Sequence, residues 1–272
     1  MSEAARLTLL GTGTSSGVPV IGCSCDTCRS PDPRDRRLRT GALLRFTDGD
    51  GIRRAVLLDV PPDHREQSLR VGLDRCDAIL LTHAHVDHVF GLDEVRRYNA
   101  IMRSSIPVYG DEPTWEQLER IYRHILFREH NVNDSFVADL RPHRVRHGDT
   151  VDLHGMRATA MNLWHGRQPI LGWRLEGRSS DPLLPLAYCT DVNRIPPETW
   201  PLLEGLGTLV LDMLRPRSHD THFTCDEAVE TARRIGAART VFVHMTHDIR
   251  HAAFEPSLPA GMRLGFDGME LP

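Results

Sequence analysis

The chain has 272 residues, 40% apolar and 26% charged, with a net charge of −4 when its histidines are neutral. That length can bury a substantial core, the ordinary composition excludes a disordered or fibrous chain, and the acidic balance argues against bulk electrostatic binding of nucleic acid. No apolar run reaches the roughly 18 residues of a membrane span, and the N-terminus has no long apolar stretch of the signal-peptide kind, which reads as a cytoplasmic protein.

Residues 6–10 (RLTLL) read as a strand that stops at Gly11-Thr12-Gly13. The glycines loosely resemble a nucleotide-binding fingerprint, but Pro19 and a cysteine cluster follow where a helix should start, which excludes a Rossmann unit. Cys23, Cys25 and Cys28 stand within six residues. Cysteines two apart pair poorly as disulfides, so the cluster reads as metal-binding or redox. The charged run 31–39 (PDPRDRRLR) reads as a solvated loop. Segments 41–46 and 55–59 pair as strands across the turn 48–51, residues 67–71 form a helix, and 78–81 form a short buried strand. Helices follow at 92–104 and 114–127, the second with Trp115, Leu118, Ile121, Tyr122 and Ile125 at helical spacing. Strands return between about 145 and 187, including 156–162, 172–175 and 186–189, and another lies at 209–212. Residues 224–235 form a helix with Thr224 as N-cap and Glu227 completing a capping box, and a strand at 240–243 leads into His244. Strands first, then strands alternating with helices, predict a layered α/β fold with sheets inside and helices outside. With no linker-like break in composition, residues 1–272 read as a single domain. Cys76, Cys189 and Cys225 read as small buried side chains.

The densest chemical signal is Thr82-His83-Ala84-His85-Val86-Asp87-His88, directly after the 78–81 strand. His83 and His85 alternate in an extended segment and can face one ion. Asp87 and His88 then turn the chain and can face a second. Imidazole and carboxylate suit Zn²⁺ or Mn²⁺. At the other cluster, three thiolates leave a tetrahedral zinc one ligand short. A Cys25/Cys28 dithiol is the redox alternative, but it lacks the βαβ context of a thioredoxin-like motif.

His83 to His88 (HAHVDH) resembles the HxHxDH signature of the metallo-β-lactamase superfamily. The resemblance extends in order to His165 in NLWHGRQ, Asp191 in AYCTDV and His244 in VFVHMTH. It implies an αββα four-layer sandwich with the site at the sheet edges and two divalent ions, Zn²⁺ or Mn²⁺. His83, His85 and His165 would hold one ion, Asp87, His88 and His244 the other, and Asp191 would bridge them. The N-terminal cysteine loop is similar to that of the PhnP-type branch, the phosphoribosyl cyclic phosphodiesterases. That likeness implies a structural Zn²⁺ on Cys23, Cys25, Cys28 and His247, with a stabilising rather than a chemical role. It also implies a histidine near the leaving group. His222 matches best in position, with His219 as fallback, and would protonate a departing alkoxide. Asp87 and His222 are thus the residues assigned to the chemical step.

The expected activity is hydrolysis of a small, cyclic phosphodiester by attack of a metal-bridging hydroxide. The superfamily also holds tRNA 3′-processing nucleases, thioester hydrolases and lactamases, and fold alone does not choose among them. A non-catalytic metal-binding or redox module is the reading of another class. The expected partner is a small-molecule phosphodiester, with no nucleic acid, no membrane, and at most a second copy of the chain in a homodimer. Among weaker features, an arginine of the 96–99 segment (RRYN) could grip a phosphate. His124, Glu129 and His130 carry no assigned role.

Overall fold

The computed structural model describes residues 4–127, 136–177 and 181–272. Its strands are β1 (Arg6–Gly11), β2 (Gly41–Thr47), β3 (Arg53–Leu58), β4 (Ala78–Leu80), β5 (Ile106–Gly110), β6 (Leu140–Arg144), β7 (Thr150–Leu153), β8 (Met156–His165), β9 (Gln168–Glu176), β10 (Leu186–Cys189), β11 (Thr208–Asp212), β12 (Arg239–Val243), β13 (Met262–Leu264) and β14 (Glu270–Leu271). The helices are α1 (His64–Arg70), α2 (Val86–Val89), α3 (Arg96–Met102), α4 (Glu112–Ile121), α5 (Arg123–Leu126), α6 (Cys225–Ile235) and α7 (His251–Phe254). The strands form two seven-stranded sheets, β14-β1-β2-β3-β4-β5-β6 and β13-β12-β11-β10-β9-β8-β7.

The central strands are apolar on both faces because each face meets a different layer. Leu7, Leu44, Val56, Leu58 and Leu80 of the first sheet pack against Trp173, Tyr188, Val210 and Val243 of the second. The opposite face of the first sheet, with Leu43, Leu57, Ile79 and Leu81, is covered by Val89 of α2, Tyr98 of α3 and Trp115 of α4. The outer face of the second sheet packs Leu209, Leu211 and Phe242 under Ala228 and Ala232 of α6. This is the expected αββα sandwich.

Two bonds tie the sheets together where the histidine motif begins. The Trp173 indole donates to the Leu81 carbonyl at 3.0 Å, and the Leu171 amide donates to the Thr82 carbonyl at 2.9 Å. Gly11 and Gly13 serve close backbone approach, not phosphate binding. A Cβ on Gly11 would lie 2.0 Å from the Arg39 carbonyl oxygen, and one on Gly13 would lie 2.8 Å from that of Arg37.

Several sequence expectations shift. The 114–127 helix starts earlier and divides at Tyr122 (φ −108°, ψ 33°), whose buried hydroxyl donates to the Val89 carbonyl at 3.0 Å. The 92–104 helix narrows to α3, stopped by Arg103 in the left-handed region. The 67–71 helix begins at His64, and the strand at 156–162 runs on to His165. The capping box at Thr224 forms, with the Glu227 amide donating to Thr224 Oγ1 at 3.2 Å and the Thr224 amide to Glu227 Oε2 at 2.8 Å. The 31–39 run is not solvated throughout. Asp35 and Arg37 are buried because they pair at 3.2 Å, and the Arg37 guanidinium also donates to the Thr246 and Ile249 carbonyls at 2.8 and 2.7 Å. Cys76, Cys189 and Cys225 are buried, as expected.

Candidate metal centre

The ligand-bearing residues stand at strand ends along one edge of the sandwich. His83, His85, Asp87 and His88 follow β4 and enter α2; His165 ends β8; Asp191 and His244 lie just beyond β10 and β12. Asp59, just beyond β3, Asp191 and His244 all take positive φ (61°, 56° and 63°), a conformation non-glycine residues adopt only when the surroundings enforce it.

The seven side chains converge as two groups. One nitrogen each of His83, His85 and His165 lie within 4.8 Å of one another, and so do ligand atoms of Asp87, His88, Asp191 and His244. His88 Nε2 is 3.1 Å from Asp191 Oδ1 and 3.5 Å from Asp87 Oδ2; His244 Nε2 is 3.2 Å from Asp191 Oδ2 and 3.5 Å from Asp87 Oδ2. Two tetrahedral ligands at zinc bond lengths sit about 3.4 Å apart, so these gaps are those of a shared ion. Nε2 of His83, His88 and His244 is buried and makes no hydrogen bond. Buried polar atoms without partners are costly, and divalent cations, one in each ligand group, would satisfy all three.

His88, His83 and His165 are oriented through their other nitrogen, as metal-binding histidines are. His88 Nδ1 lies 2.7 Å from Asp59 Oδ2, His83 Nδ1 is 3.0 Å from Thr82 Oγ1, and His165 Nδ1 donates to the Thr221 carbonyl at 2.9 Å. Asp59 also accepts from the Thr82 amide and hydroxyl, both at 2.8 Å. Asp212, at the end of β11, lies 3.2 Å from His222 Nδ1 and 3.4 Å from His244 Nδ1, and accepts from the Phe223 amide at 3.1 Å. Neither aspartate was singled out in the sequence reading. The available signal was an acid closing an apolar strand, LLD at 57–59 and LVLD at 209–212.

Burial depresses the His83 and His85 rings and brings His165 down to about 4, so all three are neutral ligands at pH 7. At His88 and His244 burial acts in the same direction, but the facing carboxylates, Asp191 foremost, outweigh it and raise both, His244 to about 10. His88 and His244 in turn hold the Asp191 carboxyl well below its ordinary range. The half of the centre containing Asp87 and Asp191 is thus prepared for positive charge.

His222 is buried beside this group. Its ring stacks on His244 with centroids 4.7 Å apart and meets His165 edge-on at 4.6 Å. A ring nitrogen of His222 lies within 4.8 Å of ligand atoms of His165 and Asp191. His219 is half-buried, and its Nδ1 is occupied by the Thr221 amide and hydroxyl at 3.3 and 3.1 Å. In the 96–99 segment Arg96 pairs with Asp93, Tyr98 contacts His64 and Ser68, and Asn99 holds the Ser104 and Asp139 backbones. Glu129 and His130 lie outside the described residues.

At the second cluster, His247 Nδ1 is 3.2, 3.5 and 3.4 Å from the sulfurs of Cys23, Cys25 and Cys28. Sulfur and nitrogen on one tetrahedral zinc are about 3.5 Å apart, so the residues fit that ion. Hydrogen bonding from the Cys28 amide lowers the Cys25 thiol to about 7. The Thr12 carbonyl accepts from the Met245 amide at 3.0 Å, which joins the loop before the cysteines to the His244–His247 segment.

A family model described as a beta-lactamase superfamily domain matches residues 54–245, a span that holds every residue of the seven-ligand group. The chain belongs to the metallo-β-lactamase superfamily. Within that superfamily it is similar to a diphosphatase of the PhnP family whose crystal structure is known, at 38% identity and a TM-score of 0.87 over 100% of this chain and 98% of that one. A protein named octanoyltransferase from Porphyromonas gingivalis is 34% identical over 97% of this chain; the chain spans 51% of that protein's length. Zn²⁺-bound PqqB from Methylobacterium extorquens shares the fold, with a TM-score of 0.74 at 19% identity over 98% of this chain and 99% of that one. Among the described residues no helix is long and apolar enough to cross a membrane.

Proposed function

We propose that this superfamily hydrolase cleaves a small phosphodiester, cyclic esters included, at a centre of two divalent ions. The carrying observation is His222, seated on Asp212 beside the ligand group. A hydrolase acting at phosphorus needs a proton for its departing oxygen, and His222 is positioned to give one. The likeness to a PhnP-family diphosphatase supports the same reaction class.

His83, His85 and His165 would hold one ion, Asp87, His88 and His244 the other, and Asp191, whose Oδ2 lies 3.2 Å from His244 and 3.9 Å from His83, would be shared between them. Such ions, Zn²⁺ or Mn²⁺, supply an acidified water and neutralise charge developing on the phosphoryl oxygens. The chain's own residues do the rest. Asp59 keeps His88 Nε2 turned toward the centre, Asp212 fixes the His222 ring, and His222 Nε2 protonates the leaving oxygen. The three thiolates and His247 would take a structural Zn²⁺.

The likeness to a PhnP-family diphosphatase favours one second reading, cleavage of a diphosphate linkage by the same attack at phosphorus. Metal-loaded protein assayed against bis-p-nitrophenyl phosphate, cyclic nucleotides, phosphoribosyl cyclic phosphate, substituted diphosphates and thioesters separates these. Phosphodiester turnover is expected. Turnover of diphosphates alone would move the assignment to the second reading, and turnover of thioesters alone would overturn both.

A further inference from the structure

A cavity of about 680 Å³ opens at the end of the first sheet opposite the metal centre, between the sheet and the helix layer. It is lined by the start of β1 and β3, the end of β2, the segment after α1 and the end of α3. β3 connects the two places. Arg54 lines the cavity and Asp59 belongs to the centre, a separation of about 17 Å along an extended strand.

Five arginines line this cavity, Arg6, Arg45, Arg53, Arg54 and Arg75, against one acid, Asp74. Arg54 is committed to Asp48 and Asp77, at 2.7 and 3.0 Å, and Arg75 to Asp77 at 2.6 Å. The other three are not neutralised in this way. Arg6 stands directly opposite Arg45 in the β1–β2 ladder, so both point to one face. Arg53, opposite Thr47 and two residues from Ala55, the partner of Arg45, projects on that same face. Like charges at facing positions destabilise a sheet. Arg6 has one distant partner, Glu270 at 3.6 Å with both side chains about half exposed (53% and 52%). Among the described residues neither Arg45 nor Arg53 has a carboxylate partner. One nitrogen of Arg45 donates to the Val71 carbonyl at 2.8 Å, which fixes its guanidinium and leaves its other donors open. The facing wall is apolar, with Val71, Leu73 and Met102, and Ile101 at the mouth is 49% exposed.

We propose that this cavity is a second binding site, separate from the metal centre, for an organic monophosphate. Arg45 and Arg53 take the phosphate and the apolar wall takes the organic group. A dianion offsets the row of facing arginines better than a carboxylate, and guanidinium forks match phosphate oxygens. The volume is that of a small-ligand pocket.

The probe is phenyl phosphate, titrated calorimetrically into the metal-loaded protein, with inorganic phosphate and benzoate as comparisons. Two binding events are expected, one at each site. In an Arg45→Gln/Arg53→Gln double variant the second event should weaken by about tenfold or more, the loss of charge-assisted bonds, while turnover of bis-p-nitrophenyl phosphate is unchanged. Ile101→Glu, an exposed substitution that leaves the arginines in place, should weaken the same event by adding a negative charge at the mouth. Isotherms of either folded variant identical to the wild type would overturn the proposal. So would inorganic phosphate or benzoate filling the second site as tightly as phenyl phosphate.

Discussion

Four imidazoles at the centre have a partner behind the ring, Thr82 for His83, Asp59 for His88, the Thr221 carbonyl for His165 and Asp212 for His222, and that pairing decides what each can do. Asp59 is fully buried and spends its oxygens on His88 and Thr82, so an Asp59→Ala variant leaves His88 free to rotate. It should lose about 10–100-fold in metal affinity, measured by competition with a chromogenic chelator. Asp191→Ala removes the carboxylate that lies between the two groups and should abolish turnover; full activity in that variant would refute its bridging role. His222→Ala should retain its metals and lose about 10²–10⁴-fold in kcat. Loss of metal together with activity would instead make His222 a ligand. The HAHVDH motif was legible because its four ligating side chains fall within six residues. Asp59 and Asp212 were not, because their histidines lie 29 and 10 residues away and only the fold brings them together.

At the level of elements, strand ends deliver nearly every functional side chain, and the sheets must hold those ends in register. Trp173 of β9 does this from the core, where it is completely buried and bonded to Leu81 of the other sheet. Trp173→Phe keeps most of the apolar volume but orphans the Leu81 carbonyl. It should cost about 1–3 kcal/mol in denaturant unfolding, where an unchanged midpoint would argue against the tie. The strands that the sequence pattern exposed are those with runs such as AVLL in β3 and LAYC in β10, apolar on both faces. β5 (IPVYG) and β6 (LRPHR) were hidden by their prolines and, in β6, by exposed polar residues. The division at Tyr122 was equally invisible, since helical spacing continues through it while the Tyr122 hydroxyl bonds the Val89 carbonyl in another element.

For the whole molecule, burial outside the centre sets an acid limit. His64 is buried under α3 and held down to about 4 from its ordinary 6.5. It is neutral when folded and takes up a proton on unfolding as pH falls below 6.5. Its contribution is therefore full above pH 6.5 and is lost progressively toward pH 4. The linked loss between pH 7 and pH 5 is about 2 kcal/mol. Urea unfolding at both pH values should show it in the wild type and not in His64→Asn; equal pH dependence in the two proteins would contradict the assignment.

The central claim, that one chain gathers two catalytic ions and one structural ion from residues spread between Cys23 and His247, is tested most directly by counting metal. Elemental analysis of protein purified with divalent metal present should give about three ions per chain, the count that one binuclear site and one tetrahedral site require. A single ion per chain, retained when Asp191 is replaced and lost when Cys25 is replaced, would leave only the cysteine site and contradict the hydrolytic centre.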